Sequence, residues 1–508
     1  MGDGAAHEHG QLNPHEETGA EPAPSAFRPL QAILALGGIQ ILTMAAGLAR
    51  TKILAVLLGP AGLGIVGVID QTVALVTHFG SLSFPFVALT FLSRARGETA
   101  ERFTRLYLAF LKVLLASSLI ATAVAIGIAL WRTTLIADEL APYRIPLVLG
   151  LAGAPALAAA AYLRSVLAAG ERHSQAALFA LASGVALIGT SYAGVRLHGL
   201  IGLYLGNLVV AVLIPLLIIG YLRRSSAIGK PRNDGALAVL RGVPGLPGFA
   251  TTIHLLSLVS PLAYLVARVA VLRQHGPVDA GLFHAAYALA TALRVVLGQA
   301  NVLYLTPMLH RPIENPERAG IAAAYVRVLV VLLVLAGLPV VLFPAEWLLL
   351  LYSGRFTGAA AFLAVFLVAE AVLLVASVYQ MLLIAFNDVR AHALIAVAGQ
   401  LLLALLALSW VETLGSLGVA FAFLAGHSLI LALLLFRLRQ KHHIPAVVQP
   451  LSLLVAGLGT LMAAGWWAVA GTPHAAAKLG LYLVMGAVSL RLLTREERAW
   501  LLRPWSKR

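Results

Sequence analysis

Apolar runs close to 20 residues long follow one another almost without pause between residues 30 and 493. A run of that length crosses a bilayer as a helix. Apolar residues make up 60% of the chain and charged residues 11%, against about 25% charged in a soluble domain. The chain therefore reads as an all-α polytopic membrane protein. Fourteen spans are expected, at 30–57, 62–91, 103–131, 143–168, 174–195, 199–222, 248–272, 279–308, 321–343, 359–385, 391–411, 414–436, 448–470 and 475–493. Residues 346–352 read as a short helix ahead of the tenth span.

The spans repeat. Gly59-Pro60-Ala61-Gly62-Leu63 recurs loosely as Gly276-Pro277-Val278-Asp279-Ala280-Gly281-Leu282, an offset of 217. Gly170-Glu171-Arg172-His173 recurs as Asn387-Asp388-Val389-Arg390, which pairs Glu171 with Asp388 at the same offset. His198-Gly199-Leu200-Ile201-Gly202-Leu203 recurs as Leu414-Gly415-Ser416-Leu417-Gly418-Val419, with Gly202 and Gly418 offset by 216. Six spans per unit is an even number, so the units are parallel repeats about an axis along the membrane normal. Such proteins commonly bind substrate between the repeats.

The expected organisation follows. Residues 1–28 read as a disordered cytoplasmic tail, 29–222 as an N-lobe of six helices, and 223–247 as a cationic, Pro/Gly-rich cytoplasmic linker. Residues 248–440 read as a C-lobe of six helices, and 441–508 as two extra C-terminal helices with a basic cytoplasmic end. Loop charges orient the chain. With the N-terminus inside, 25 of the 36 Lys and Arg face the cytoplasm, and only Arg132, Arg144, Arg196, Arg273 and Lys478 face outward. Arg164 and Arg172 are counted among the cytoplasmic ones.

That bias accounts for the net charge of +15 without nucleic acid as a partner. The chain has no cysteine, so disulfides and thiolate chemistry are excluded. The tail holds His7, His9 and His15, a weak metal grip at most; no metal site or cofactor is expected.

A charge in hydrocarbon costs about 2.5–3.5 kcal/mol on insertion scales, so each one needs a reason. Arg50 and Lys52 in span 1 and Arg268 in span 7 sit two to three turns before the Gly-Pro of their repeat, and Arg294 lies in span 8. Facing cations from related helices would line a central cleft and select an anion such as a phosphate or pyrophosphate. Snorkelling to the outer head groups is the other reading of Arg50 and Lys52. Asp70 in span 2 and Glu370 in span 10 are candidates for coupling to a proton or sodium ion, or for structural ion pairs. His78, His254, His284 and His427, with Gln71, Asn207, Asn301 and Gln400, are further polar groups at membrane depth.

The chain contains no H-E-x-x-H, Walker loop or G-x-S-x-G, and no outward loop exceeds about 15 residues in this assignment. A transporter is expected rather than an enzyme. The segment Ala49-Arg50-Thr51-Lys52-Ile53-Leu54-Ala55-Val56-Leu57-Leu58-Gly59-Pro60-Ala61-Gly62-Leu63-Gly64 resembles the helix 1–2 signature of O-antigen and enterobacterial-common-antigen translocases. Pro261-Leu262-Ala263-Tyr264 with Arg268, Leu303-Tyr304-Leu305-Thr306-Pro307-Met308-Leu309, Trp347 to Phe356, and Leu367-Val368-Ala369-Glu370 resemble later segments of the same proteins, in the same order. These are polysaccharide flippases of the multidrug/oligosaccharidyl-lipid/polysaccharide (MOP) exporter superfamily.

The resemblance implies a MATE-like pair of lobes in the bacterial inner membrane, with both termini cytoplasmic. It implies movement of an undecaprenyl-pyrophosphate-linked oligosaccharide to the periplasmic face by alternating access, for O-antigen or exopolysaccharide assembly. Other polysaccharide-assembly membrane proteins are candidate partners. On matching positions, Lys52 and Arg268 become pyrophosphate ligands and Glu370 the coupling residue. Two departures stand out: Ala288–Thr291 lacks the acid often found in helix 8, and fourteen spans exceed twelve. Fourteen spans resemble the lipid II flippases of the same superfamily, which is the alternative substrate class. A polysaccharide polymerase or ligase is the alternative of a different kind, against which the duplication and the short outer loops argue.

Overall fold

The computed structural model describes residues 27–132, 137–225, 235–301, 305–310, 314–444, 448, 450–471 and 474–493. Among them, regular structure is helical and no strand occurs. Most of the expected tail with its three histidines, linker residues 226–234 and the basic end at 494–508 lie outside the described residues.

The N-terminal half comprises α1 (Phe27–Ser81), α2 (Phe84–Arg96), α3 (Ala100–Arg132), α4 (Arg144–Ala152), α5 (Ala154–Ala169) and α6 (His173–Arg224). The short α7 (Ala236–Arg241) leads to α8 (Leu246–Ala300), α9 (Thr306–Leu309), α10 (Asn315–Leu342), α11 (Pro344–Leu351), α12 (Ala360–Ala385) and α13 (Val389–His442). Two more helices follow, α14 (Leu451–Ala470) and α15 (Ala475–Arg491). Nine helical stretches among the described residues are long and apolar enough to cross a membrane. Four of them bend sharply at Gly59, Gly199, Gly276 and Gly415. Counting both arms of each bent helix and adding the shorter α15 gives fourteen passes.

The bends match in pairs. Gly59 has φ 68° and ψ −173°, and Gly276 has φ 79° and ψ −178°. Gly199 has φ 57° and ψ −136°, and Gly415 has φ 58° and ψ −142°. The α5–α6 and α12–α13 turns match bond for bond. Gly170, Glu171 and Arg172 donate to the carbonyls of Val166, Ala168 and Leu167; Phe386, Asn387 and Asp388 donate to those of Leu382, Ile384 and Leu383. Glu171 (φ 57°) therefore corresponds to Asn387 (φ 59°), and Arg172 to Asp388. The offset here is 216, one residue from the sequence alignment, which had paired Glu171 with Asp388.

The backbone of Gly59 and Gly276 lies in a region open essentially to glycine alone, and Pro60 or Pro277 then starts the next arm. Gly276→Ala is expected to lower the thermal midpoint by the equivalent of about 1–3 kcal/mol. Gly248→Ala, in the first turn of α8 with open space around its Cβ, is expected to be neutral in the same melt.

Helix direction alternates, so the four bends gather at one end of the bundle (the elbow end), and the α2–α3, α5–α6 and α12–α13 turns at the other (the turn end). Buried apolar residues follow the same division. One core at the elbow end mixes both halves, with Leu54, Ile69, Ala267, Phe283, Leu363 and Phe423. Two separate cores occupy the turn end. One holds Phe84, Phe110, Tyr162 and Ile218; the other holds Leu329, Tyr379, Leu382 and Leu434.

The elbow end is closed tightly. A Cβ on Gly281 would collide with the Pro60 carbonyl, and one on Gly64 with that of Pro277. Arg355 Nη2 donates to the Val56 carbonyl at 3.0 Å, and Lys52 Nζ to that of Leu349 at 2.8 Å. The two halves also meet along α1 and α8, where Gln71 donates to the Pro261 carbonyl at 3.0 Å. Helix α14 packs closely on the C-terminal half: Gly457 faces Val330 and Val334, Gly465 faces Ala364, and Leu461 is fully buried.

Candidate functional site

The N-terminal half encloses a cavity of about 380 Å³ between α1, α4, α5 and α6. Its polar lining comprises Arg50, Asp70, Thr77, His78, Arg164, Ser183, Tyr204 and Asn207. Arg50 Nε donates to Ser191 Oγ at 2.9 Å, and its Nη2 reaches Asn207 Oδ1 at 3.4 Å. Tyr204 donates its hydroxyl proton to Asp70 Oδ1 at 2.8 Å. Two guanidiniums thus share a largely apolar chamber with one carboxylate. Two forked guanidiniums against one carboxylate leave an excess of positive charge that favours an anion.

The internal repeat shows what fills the matching positions of the other half. At the repeat offsets, Asp70, Gly150 and Asn207 correspond to Tyr287, Phe366 and Phe423. These three rings pack on one another, with centroids 5.3–5.8 Å apart. Phe283 joins them, 6.0 Å from Tyr287 and 5.2 Å from Phe366. Rings fill in the C-terminal half what small and polar side chains leave open in the N-terminal half.

The residues singled out from the sequence fall into four places. Arg50 and Asp70 line the cavity. Lys52 lies at the elbow-end rim, bound to the Leu349 carbonyl. Arg268, 8% exposed, sits on the seam between the halves with its guanidinium against Gly67 of α1. Its Nη1 lies 2.7 Å from His284 Nδ1 and its Cζ 5.4 Å from the Tyr287 ring centroid. Its Nε is buried without a hydrogen-bond partner. Arg294 pairs with Glu370, which is 1% exposed. Glu370 Oε1 and His427 Nε2 are buried nearby without partners, while His427 Nδ1 lies 3.0 Å from the Ala369 carbonyl. Arg50, Lys52, Arg268 and Arg294 therefore do not line a single central cleft. Lys52 is drawn to a carbonyl at the rim and Arg294 to a carboxylate in the C-terminal half.

Tyr204, Ser191 and Arg164 were not among the sequence candidates. Arg164 had been counted only as a cytoplasmic cation at the end of span 143–168; it lies in α5 and lines the cavity. Tyr204, Asn207 and Ala211 recur at helical spacing on α6, a polar-and-small face that the sequence offered. No group of three or more potential metal ligands occurs among the described residues.

A separate polar cluster sits at the turn end. Asp388 caps α13 and is bound by Arg437 Nε at 2.9 Å, Lys441 Nζ at 3.1 Å and His442 Nε2 at 3.3 Å. Arg437 first, then Lys441 and His442, hold its carboxyl well below the usual carboxylate range. A lowered folded-state value gives stability that is present above the ordinary carboxylate pKa and lost as pH falls through the folded one. Asp388→Asn should therefore lower the melting midpoint by the same few degrees from about pH 8 to pH 5, and the deficit should shrink below about pH 4. Melts across that range check it.

No protein-family model and no curated protein matches the sequence. Solved structures do match. The lipid II flippase MurJ, in an inward closed conformation, superposes with a TM-score of 0.68 at 13% identity, over 91% of this chain and all of that one. An inward-facing MATE-family multidrug resistance transporter of the MOP superfamily gives 0.60 at 15% identity, over 80% of this chain and 96% of that one. A MOP superfamily transporter from Pyrococcus furiosus, described as having a binding pocket of reverse polarity, gives 0.51 at 15% identity, over 84% and 96%. With fourteen helical passes, paired elbows and these superpositions, the chain has the fold of the MOP exporter superfamily.

Proposed function

We propose that the chain is a flippase that carries a lipid-linked oligosaccharide, through its anionic pyrophosphate head, from the cytoplasmic to the outer face of a bacterial inner membrane. The observation that carries this reading is the cavity of the N-terminal half, where Arg50 and Arg164 outnumber Asp70. A phosphate-bearing head group suits two guanidiniums, while a cationic drug would be repelled. Alternating access suits a molecule whose halves share a core at the elbow end and keep separate cores at the turn end. The turn end is then the cytoplasmic side, in keeping with the loop charges.

Arg268, with its unpartnered Nε on the seam, is a further cation the head group would meet as the halves rock. Asp70 is the better placed of the two coupling candidates. It shares the chamber with Arg50, whereas Glu370 is held by Arg294.

The substrate has a second reading, the lipid II class. Residues 1–444 are about 87% of the chain, so a 91% superposition on MurJ has to extend past residue 444 towards the C-terminal pair of helices. The 80% match to the MATE transporter carries no such requirement. Deleting the gene tests both readings. A flippase deletion accumulates its lipid-linked intermediate on the cytoplasmic face; oligosaccharide on that lipid favours the polysaccharide reading, and a peptidoglycan precursor the other. An intermediate accumulating on the outer face would instead mark a polymerase or ligase.

A further inference from the structure

A second cavity, of about 240 Å³, lies at the turn end of the N-terminal half and is separate from the chamber that holds Arg50 and Asp70. Arg96 and Arg172 line it, and Phe103, Val166, Leu167 and Leu222 form its apolar wall. Glu171 reaches this cavity, with its Oε2 3.4 Å from Arg96 Nη2. Its side chain is 77% exposed, and an ion pair that wet contributes little. Arg172 donates to Ser225 Oγ at 2.5 Å, and its Cζ lies 5.5 Å from the Tyr221 ring centroid. Among the described residues, no carboxylate lies within ion-pair distance of Arg172.

The other half shows how the same positions look when an anion is built in. At the offset of 216, Arg172, Tyr221 and Ser225 correspond to Asp388, Arg437 and Lys441. There the anion is Asp388, and Arg437 and Lys441 bind it. The N-terminal half has put a cation where its twin has the carboxylate. Arg172 is also the residue that precedes α6, as Asp388 precedes α13. A helix N-terminus favours negative charge, so Arg172 is electrostatically misplaced unless an anion joins it. Ala100, the first residue of α3, lines the same cavity and adds a second positive helix end.

We propose that this cavity binds a phosphate group, which supplies from outside the negative charge that Asp388 supplies in the other half. Two guanidiniums offer the forked donors that phosphate oxygens accept. The apolar wall and the position at the end of the membrane-spanning bundle admit a phospholipid head group with the start of its chains; free inorganic phosphate has the same chemistry. The site does not depend on what the N-terminal chamber carries, so it stands or falls apart from the flippase reading.

The test is thermal unfolding of the purified full chain in neutral detergent. One series adds phosphatidylglycerol against equal phosphatidylcholine; the other adds sodium phosphate against sodium chloride at matched ionic strength. Wild type is expected to melt several degrees higher with the phosphate-bearing anion. A response to phosphatidylglycerol alone assigns the site to a lipid head group, and a response to both assigns it to phosphate whatever its carrier. Arg96→Gln is expected to need at least tenfold more of the anion for the same shift. Arg172→Asp places the other half's carboxylate at this position, a favoured residue ahead of a helix and within the cavity that Arg96 lines, and is expected to fold and to lose the response. Arg102→Gln, which removes a nearby exposed charge already paired with Glu98, is expected to respond like wild type. The proposal is overturned by a wild type indifferent to both anions, by an Arg172→Asp protein that responds as wild type does, or by an Arg102→Gln protein that loses as much as Arg96→Gln.

Discussion

Arg50→Ala is expected to reduce export about 10- to 150-fold while the protein reaches the membrane at wild-type abundance. The range corresponds to the 1.5–3 kcal/mol typical of a hydrogen bond to a charged group. The truncation leaves Ser191 and Asn207 to bond each other or water, so the fold survives. It leaves one lining guanidinium, Arg164, against the one lining carboxylate, Asp70, so the preference for an anion weakens sharply. Arg50→Lys keeps the charge but loses the fork that reaches both Ser191 and Asn207, and is expected to retain part of the activity. Complementation of a deletion strain, normalised to protein in the membrane, is the measurement. Full export by Arg50→Ala would remove the chamber from the transport path.

Arg294→Ala is expected to have the largest effect on stability. Glu370 is 1% exposed, and one of its oxygens already lacks a partner. Removing Arg294 strands the carboxylate in an apolar interior. Breaking a buried pair in this way costs about 3–5 kcal/mol, reduced if Glu370 takes up a proton. Arg294→Gln combined with Glu370→Gln removes both charges and is expected to recover most of the melting temperature. The double variant also separates two roles. If it is stable and exports normally, the pair is structural; if it is stable and inactive, Glu370 takes part in coupling.

The outline of the fold was legible because hydrophobic length and glycine position are both local signals. Fourteen passes followed from apolar runs, and all four bends fell at glycines within the repeated motifs: Gly59, Gly199, Gly276 and Gly415. The α5–α6 turn was misaligned by one residue because its positive-φ position is filled by Glu171, a residue type that rarely adopts that conformation and gives no sequence cue.

The site was legible only in part. Arg50 and Asp70 betrayed themselves as charges at membrane depth. Which cations share a space is a tertiary property, decided by the rings of Tyr287, Phe366 and Phe423 filling one half and by Glu370 holding Arg294. Counting charges along the chain could not distinguish a cation that lines a chamber from one that is neutralised. It also counted Arg164 only as a cytoplasmic charge, because a residue close to a helix end is ambiguous by several positions.

A flippase of the proposed kind uses the cationic chamber of its N-terminal half to move a phosphate-bearing lipid head group across the membrane. The most direct measurement uses the purified chain in vesicles that carry a short polyprenyl-pyrophosphate oligosaccharide on one leaflet. An enzyme added to the other side reports each head group that arrives. The predicted result is arrival that requires the protein, is greatly reduced by Arg50→Ala, and is absent for a glycolipid of the same sugars and chain that lacks the pyrophosphate. Equal arrival of the neutral glycolipid, or of the pyrophosphate lipid in vesicles without the protein, would contradict it.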